Sequence, residues 1–254
     1  MKIATGVEML ELSAHLVFGP TTIYPTLIWD KDSVILVDTG FPSLLPNIRQ
    51  AIEEAGIAFN RLSHIIMTHH DIDHIGNLLA ILREISHKVE VLAHKEEMPY
   101  IQGDLPPAKL GSRPNPHLEE HHKQLSEEQR QAVMSVFSNF KAFTAPVDQT
   151  LTDGEELPFC GGITVIHTPG HTPGHICLYL KESKTLITGD ALFVENGVLV
   201  PAPWHLNHNN NDALQSLKKL IPYEVENIIC YHGGLYQDHG GRQLAGIISS
   251  VSSD

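Results

Sequence analysis

Residues 63–76 read Ser63-His-Ile-Ile-Met-Thr-His-His-Asp-Ile-Asp-His-Ile-Gly76, an apolar run that stops in five metal-capable side chains within six positions: His69, His70, Asp71, Asp73 and His74. Three other points of the chain look built to meet them. They are His171 within His-Thr-Pro-Gly-His-Thr-Pro-Gly-His (167–175), Asp190 in Thr-Gly-Asp, and His232 in Tyr-His-Gly-Gly. Each follows a strand-like run, so each can stand at a strand end. A sheet that gathers four such ends at one edge makes a cage of imidazoles and carboxylates, the ligand set of zinc, iron or manganese.

Working outward, the spacing predicts an α/β protein. From 14 to 38 the pattern is strand-like, parted by turn signals at Gly19-Pro20 and Asp30-Lys31-Asp32, which suggests consecutive antiparallel strands. Asp38 ends the last of these runs. It either faces the same edge as the metal cluster or caps the turn amides, and a supporting role behind a ligand is compatible with both. Residues 44–55 place Leu44, Leu45, Ile48, Ala51, Ile52 and Ala55 at helical spacing and stop at Gly56. A strand over 62–67, the metal loop, a helix from about Ile75 carrying Leu78, Leu79, Leu82 and Ile85, and a strand over 89–93 complete the first half.

Residues 95–125 break the pattern, with Pro99, Pro106, Pro107, Pro114 and Pro116. They are followed by a capping-box pair, Ser126 and Gln129, and an apolar stripe of Ala132, Val133, Val136, Phe137 and Phe140. We read a single domain over 1–254 with a helical and loop insertion at about 96–145 that can form a lid, the stripe packing onto the domain. Strands return over 163–167, 176–181, 185–188 and 198–200, then a short helix over 212–221 and a last strand over 225–231 that delivers His232.

Composition narrows the function. With 42% hydrophobic and 19% charged residues the chain can bury a core. A formal net charge of −13, with 17 Lys and Arg spread throughout, argues against a nucleic-acid partner. Cys160, Cys177 and Cys230 show no CxxC spacing, so neither a disulfide framework nor a thiolate site is expected, and Cys177 and Cys230 are placed in the core. No leader pattern opens the chain and no apolar run nears the ~20 residues that span a bilayer, so the expectation is a cytoplasmic protein acting on a small molecule, with no membrane partner.

These residues resemble, in order and spacing from about 14 to 235, the metallo-β-lactamase superfamily. Its His-x-His-x-Asp-His motif falls on 69–74 and its later ligands on His171, Asp190 and His232. The likeness implies an αββα four-layer sandwich with two divalent ions, zinc first, iron or manganese as alternatives. By that resemblance His69, Asp71 and His171 would hold the first ion and Asp73, His74 and His232 the second, with Asp190 bridging. Asp71 stands where the motif has histidine, and its harder oxygen tilts preference from zinc towards iron or manganese. His70 offers an alternative imidazole one residue out of register, read as a surface or supporting histidine. His167 and His175 are read as structural, and Trp204, His205 and His208 as a pocket wall or an ordinary polar loop.

The expected chemistry is a dinuclear metal-dependent hydrolase. A metal-bound hydroxide would attack an ester, thioester, lactone or amide carbonyl, and Asp73 could also take up the proton. The repeated Thr-Pro-Gly-His looks most like the glyoxalase II and acyl-homoserine lactonase branches, although Phe193 stands where similar lactonases carry a tyrosine. β-Lactam hydrolysis ranks low. The alternatives are an iron-dependent oxidoreductase of the same fold and a non-catalytic metal-binding domain, with a nuclease disfavoured by the acidic balance.

Overall fold

Period-two alternation along three short strands sorts the interior into layers. In Val34–Val37, Val34 and Leu36 turn to one side while Ile35 and Val37 turn to the other. His64–Met67 and Glu90–His94 repeat the split: Ile65, Met67, Val91 and Ala93 lie on the first side, Ile66 and Leu92 on the second. Both faces are apolar because both are covered, the pattern expected of parallel strands inside an α/β fold. A computed structural model describes residues 1–110, 123–237 and 244–247 of the chain.

The first sheet has seven strands, in the order Lys2–Ala4, Val7–Met9, Thr26–Trp29, Val34–Val37, His64–Met67, Glu90–His94 and Gln149–Leu151. The last four run parallel to one another. The second has six, in the order Glu156–Leu157, Ile163–His167, Ile176–Leu180, Thr185–Ile187, Asn227–Cys230 and Gly234–Gln237. There the pair Thr185–Ile187 and Asn227–Cys230 is parallel. Ile35, Val37, Ile66 and Leu92 of the first sheet pack against Val165, Leu178, Ile187 and Ile229 of the second. Outside the first sheet lie the helices Leu45–Glu54 and Leu78–Glu84, burying Ile48, Ile52, Leu78 and Ile81. Outside the second, the helix Asn210–Leu217 and the turn after it bury Leu217 and Leu220 against Cys177, Leu186, Ile228 and Cys230. The result is helix, sheet, sheet, helix, and each fully buried Leu or Ile contributes about 1.5–3 kcal/mol.

Several local expectations are refined. The strands Lys2–Ala4 and Val7–Met9, three residues each, carry too little pattern to be read from sequence. The stretch 14–23 belongs to a separate hairpin, Leu12–Leu16 with Gly19–Ile23. The helix expected from Ile75 is two helices, Ile72–Ile75 and Leu78–Glu84, broken at Gly76. A Cβ on Gly76 would sit 2.5 Å from the Gly40 carbonyl oxygen, so the chain is pinned there against the loop after Val34–Val37. The capping box is formed: Gln129 N–H donates to Ser126 Oγ at 3.2 Å and Ser126 N–H to Gln129 Oε1 at 2.9 Å. Helix Glu127–Ser138 follows, with Val133 and Val136 half-buried and Phe140 beyond it buried; the Phe137 side chain lies outside the description. Within 95–125 the structure places the helix Met98–Ile101 and a 3-10 turn, Ala108–Leu110. Pro114 and Pro116 lie outside the described residues. Among the described residues no helix is long and apolar enough to cross a membrane.

Candidate metal centre

Both sheets deliver parallel strands to one edge, and four of these strands run into polar residues at or behind the cluster. Val34–Val37 runs into Asp38, and His64–Met67 into Thr68, His69 and His70. Thr185–Ile187 runs into Asp190, and Asn227–Cys230 into Tyr231 and His232. His171 comes from the turn between Ile163–His167 and Ile176–Leu180. Its two glycines are required by close approach: a Cβ on Gly170, at φ +136°, would lie 2.1 Å from Ala213 N, and one on Gly174 2.6 Å from Glu97 N.

All seven residues expected as ligands fall into two groups whose donor atoms lie within 4.8 Å of one another: His69, Asp71, His171 and Asp190, and then Asp73, His74 and His232. Asp190 also approaches the second group, with Oδ1 3.3 Å from His74 Nε2 and Oδ2 3.5 Å from His232 Nε2. Asp73 Oδ2 lies 3.2 Å from His232 Nε2.

Hydrogen bonds behind the donors fix which nitrogen faces inward. Asp38, buried at φ +62°, accepts from Thr68 N–H at 2.9 Å and from the Thr68 hydroxyl at 2.7 Å. Its Oδ2 also accepts from His74 Nδ1 at 2.9 Å, which leaves His74 Nε2 bare towards the cluster. Because Thr68 gives its proton to Asp38, its oxygen accepts from His69 Nδ1 at 3.1 Å, and His69 Nε2 is likewise bare. His171 Nδ1 donates to Asn207 Oδ1 at 3.2 Å, turning its Nε2 inward. Such outer carboxylate and carbonyl partners hold metal-binding imidazoles in one tautomer.

Among the described residues four buried side-chain polar atoms lack a hydrogen-bond partner, and three are in this cluster: His69 Nε2, His74 Nε2 and Asp190 Oδ1. Orphaned buried donors and acceptors cost about 1–3 kcal/mol each. Lone pairs left bare in both groups fit a cation. The electrostatics agree. Burial opposes charge on His74 and His232, yet the carboxylates of Asp38, Asp73 and Asp190 outweigh it, raising His74 well above the ordinary range and His232, through Asp190 and Asp73, to about 10. Burial likewise opposes charge on Asp190, and the surrounding His232, His74 and His171 hold it well below the carboxylate range.

The first group holds a side chain that the sequence did not announce. Lys109 Nζ donates to Asp71 Oδ2 and, at 2.9 Å, to His171 Nε2. Burial opposes charge on Asp71, but Lys109, with His171 and His69, brings its carboxyl well below its usual range.

His70 is fully buried, so the surface reading is corrected. Its Nδ1 bonds Glu97 Oε2, and its Nε2 accepts the Ala108 N–H at 3.0 Å, which places it behind the cluster and away from it. Glu97, also fully buried, uses its other oxygen for the Thr172 hydroxyl at 2.6 Å and Gly174 N–H at 2.7 Å. His175 accepts the Asp190 N–H through Nε2 at 3.0 Å and sits neutral, its pKa lowered to about 3 by burial and by His171. His167 stacks on His94 with centroids 3.8 Å apart. Glu97, Asn207, Lys109 and Tyr231, which stacks on His74 at 3.7 Å, were not singled out from sequence. Asn207 alone carried a signal, lying in the polar loop 201–211.

A pocket of about 360 Å³ opens beside His171 and Asp190, with Val200, Pro203, Trp204 and Leu214 on its apolar walls and Asn207 and Glu195 as polar lining. Trp204 is therefore a pocket wall. Phe193 is buried with its ring 4.7 Å from that of His232 and brings no hydroxyl there.

A model of the metallo-beta-lactamase superfamily matches residues 18–232. The probable metallo-hydrolase YflN of Bacillus subtilis (strain 168) is 29% identical over 221 residues, 80% of this chain and 76% of its own. A hydroxyacylglutathione hydrolase of Rhizobium meliloti (strain 1021) is 26% identical over 186 residues, 73% of this chain and 54% of its own. Among solved structures, a metallo-beta-lactamase family protein from Thermus thermophilus superposes with a TM-score of 0.69 at 23% identity, covering 99% of this chain and 81% of that one. At that identity the likeness speaks for the fold alone.

Proposed function

The chain belongs to the metallo-β-lactamase superfamily, and from that premise we propose that it is a metal-dependent hydrolase of a small molecule with an ester, thioester or related carbonyl. The bare atoms of His69, His74 and Asp190, converging beside a largely apolar pocket, support the reading above all else. A divalent ion held there would lower the pKa of water from about 15.7 to about 7 and polarise a carbonyl, so no serine or cysteine nucleophile is required.

The chain's own residues do the rest. Asp38 and Asn207 lock His74 and His171 in the tautomers that present Nε2. Asp73, whose Oδ2 lies 3.2 Å from His232 Nε2, would take up a proton near the reacting atoms. Val200, Trp204 and Leu214 exclude water from the apolar part of the substrate. Thioesters and open esters come before lactones, because Phe193 cannot hydrogen-bond a lactone carbonyl. The name of one relative, a hydroxyacylglutathione hydrolase, supports the thioester class, and that of the other, a probable metallo-hydrolase, supports metal-dependent hydrolysis without a substrate. Zinc comes before iron: the sequence argument for iron rested on the Asp71 oxygen, and that oxygen is engaged by Lys109.

The test is elemental analysis of protein purified without added metal, beside hydrolysis of a panel of thioesters, lactones and a β-lactam. Turnover of a thioester that EDTA abolishes and Asp190→Ala removes supports the reading. Bound metal without turnover of any panel member would move it to the non-catalytic alternative.

A further inference from the structure

We infer that Lys109 is the resident cation of the first group, so that this chain takes up one divalent ion, in the second group, rather than two. The inference rests on the metal-binding reading above, and it concerns how many ions are held and by which residues.

Lys109 Nζ engages Asp71 Oδ2 and His171 Nε2 together, and these two acceptors lie 3.0 Å apart. With His171 Nδ1 given to Asn207, the neutral ring turns a lone pair towards the Asp71 carboxylate, and a cation between them satisfies both. The ammonium does. An ion bonded to the same two atoms would stand beside the ammonium, a like-charge contact in a largely buried site. Lysine and ion therefore exclude one another.

The placement of Lys109 is built in. Its segment is the short turn Ala108–Leu110. The backbone N–H of Ala108, the residue before it, is captured by His70 Nε2 at 3.0 Å, and His70 is set by Glu97. Both are fully buried. Glu97 in turn holds Thr172 and Gly174, the residues flanking the His171 turn. One buried carboxylate thus ties the lysine-bearing segment to the loop of the histidine that the lysine contacts.

Formal charge divides the two groups in the same way. Asp71 brings an anion where the motif has a neutral imidazole, and Lys109 balances it. The charged partners of Asp38, Asp73 and Asp190 are all histidines, and among the described residues none of the three forms an ion pair with a lysine or arginine. His69 Nε2 on the first group's side stays bare as well, but only the second group joins a bare imidazole, His74 Nε2, to carboxylates that no lysine compensates.

The experiment is a titration of the metal-free 254-residue chain with Co²⁺, followed by visible absorbance, together with zinc stoichiometry by native mass spectrometry. Wild type is expected to saturate at one equivalent, Lys109→Met at two, and Asp73→Ala to lose the single ion. Two equivalents in wild type, none in wild type, or one in a folded Lys109→Met would each overturn the assignment. Circular dichroism checks the fold, and Lys109→Gln provides the same count if the methionine variant does not fold. One bound ion with no turnover of any substrate would defeat the hydrolase reading and leave this one standing.

Discussion

His74 Nδ1 and Asp38 Oδ2 are 2.9 Å apart, joining the loops that follow two neighbouring parallel strands of the first sheet. The bond decides which face of the His74 ring is offered to the cluster. Asp38 holds that position at φ +62°, a conformation an aspartate tolerates at a cost of order 1–3 kcal/mol. The strain is compensated by three hydrogen bonds to one carboxylate.

Asp38→Asn keeps the shape and removes the charge that orients the imidazole. Metal affinity is expected to fall about 10–100-fold, the effect of losing an outer partner of a ligand histidine. Competition with a chromogenic chelator measures it. An unchanged affinity would mean that the ring is positioned by stacking on Tyr231 instead.

Removing the metal with EDTA should lower thermal stability, because the carboxylates and bare imidazoles are then left uncompensated. At an ion concentration about 100 times Kd the linkage is about 2.7 kcal/mol, which in a chain of this size corresponds to roughly 5–10 °C in Tm. Calorimetry with and without chelator reads the shift. No shift would argue against a bound ion in this cluster.

Trp204→Ala opens the apolar wall of the pocket while leaving the cluster intact. For a thioester with an apolar acyl group KM should rise several-fold, up to about 10-fold, with kcat little changed, the pattern of lost uniform binding. Steady-state kinetics on an acyl-length series decides it. A selective fall in kcat would place Trp204 closer to the reacting atoms than the pocket wall does.

His94, stacked on His167, has its pKa lowered to about 4 by burial and by the neighbouring His167 charge. In the unfolded chain it titrates near 6.5, so between about pH 6.5 and 4 the unfolded state binds the extra proton. Its contribution is full above 6.5 and is lost as pH falls towards 4, on the order of 1–2 kcal/mol once solvent screening is allowed for. Tm of the metal-free protein against pH should therefore fall less steeply in His94→Gln than in wild type. Parallel curves would show that His94 is protonated in the fold.

Much of the fold was legible because its signals are local. Short apolar runs over Val34–Val37 and His64–Met67 marked strands that the structure buries, and the pair Ser126 and Gln129 marked a helix start that is formed as read. The N-terminal strands Lys2–Ala4 and Val7–Met9 and the break at Gly76 were not legible. The former are fixed by partners distant in sequence, and the latter by the packing of Gly76 against the Gly40 carbonyl.

The sequence by itself determined the residue types and the order of the cluster. His69, Asp71, Asp73, His74, His171, Asp190 and His232 could be named because each follows an apolar run or a Pro-Gly turn that implies a strand end. The tertiary structure alone decided what stands among them. Lys109 lies 38 residues from Asp71 in a proline-broken stretch with no period or motif. It reaches the cluster because His70 captures the backbone of Ala108 and Glu97 holds His70, contacts made only after the chain has closed on itself. Donor spacing is written locally along the chain, whereas the charge balance of a buried site is set by whatever the fold brings to it from elsewhere.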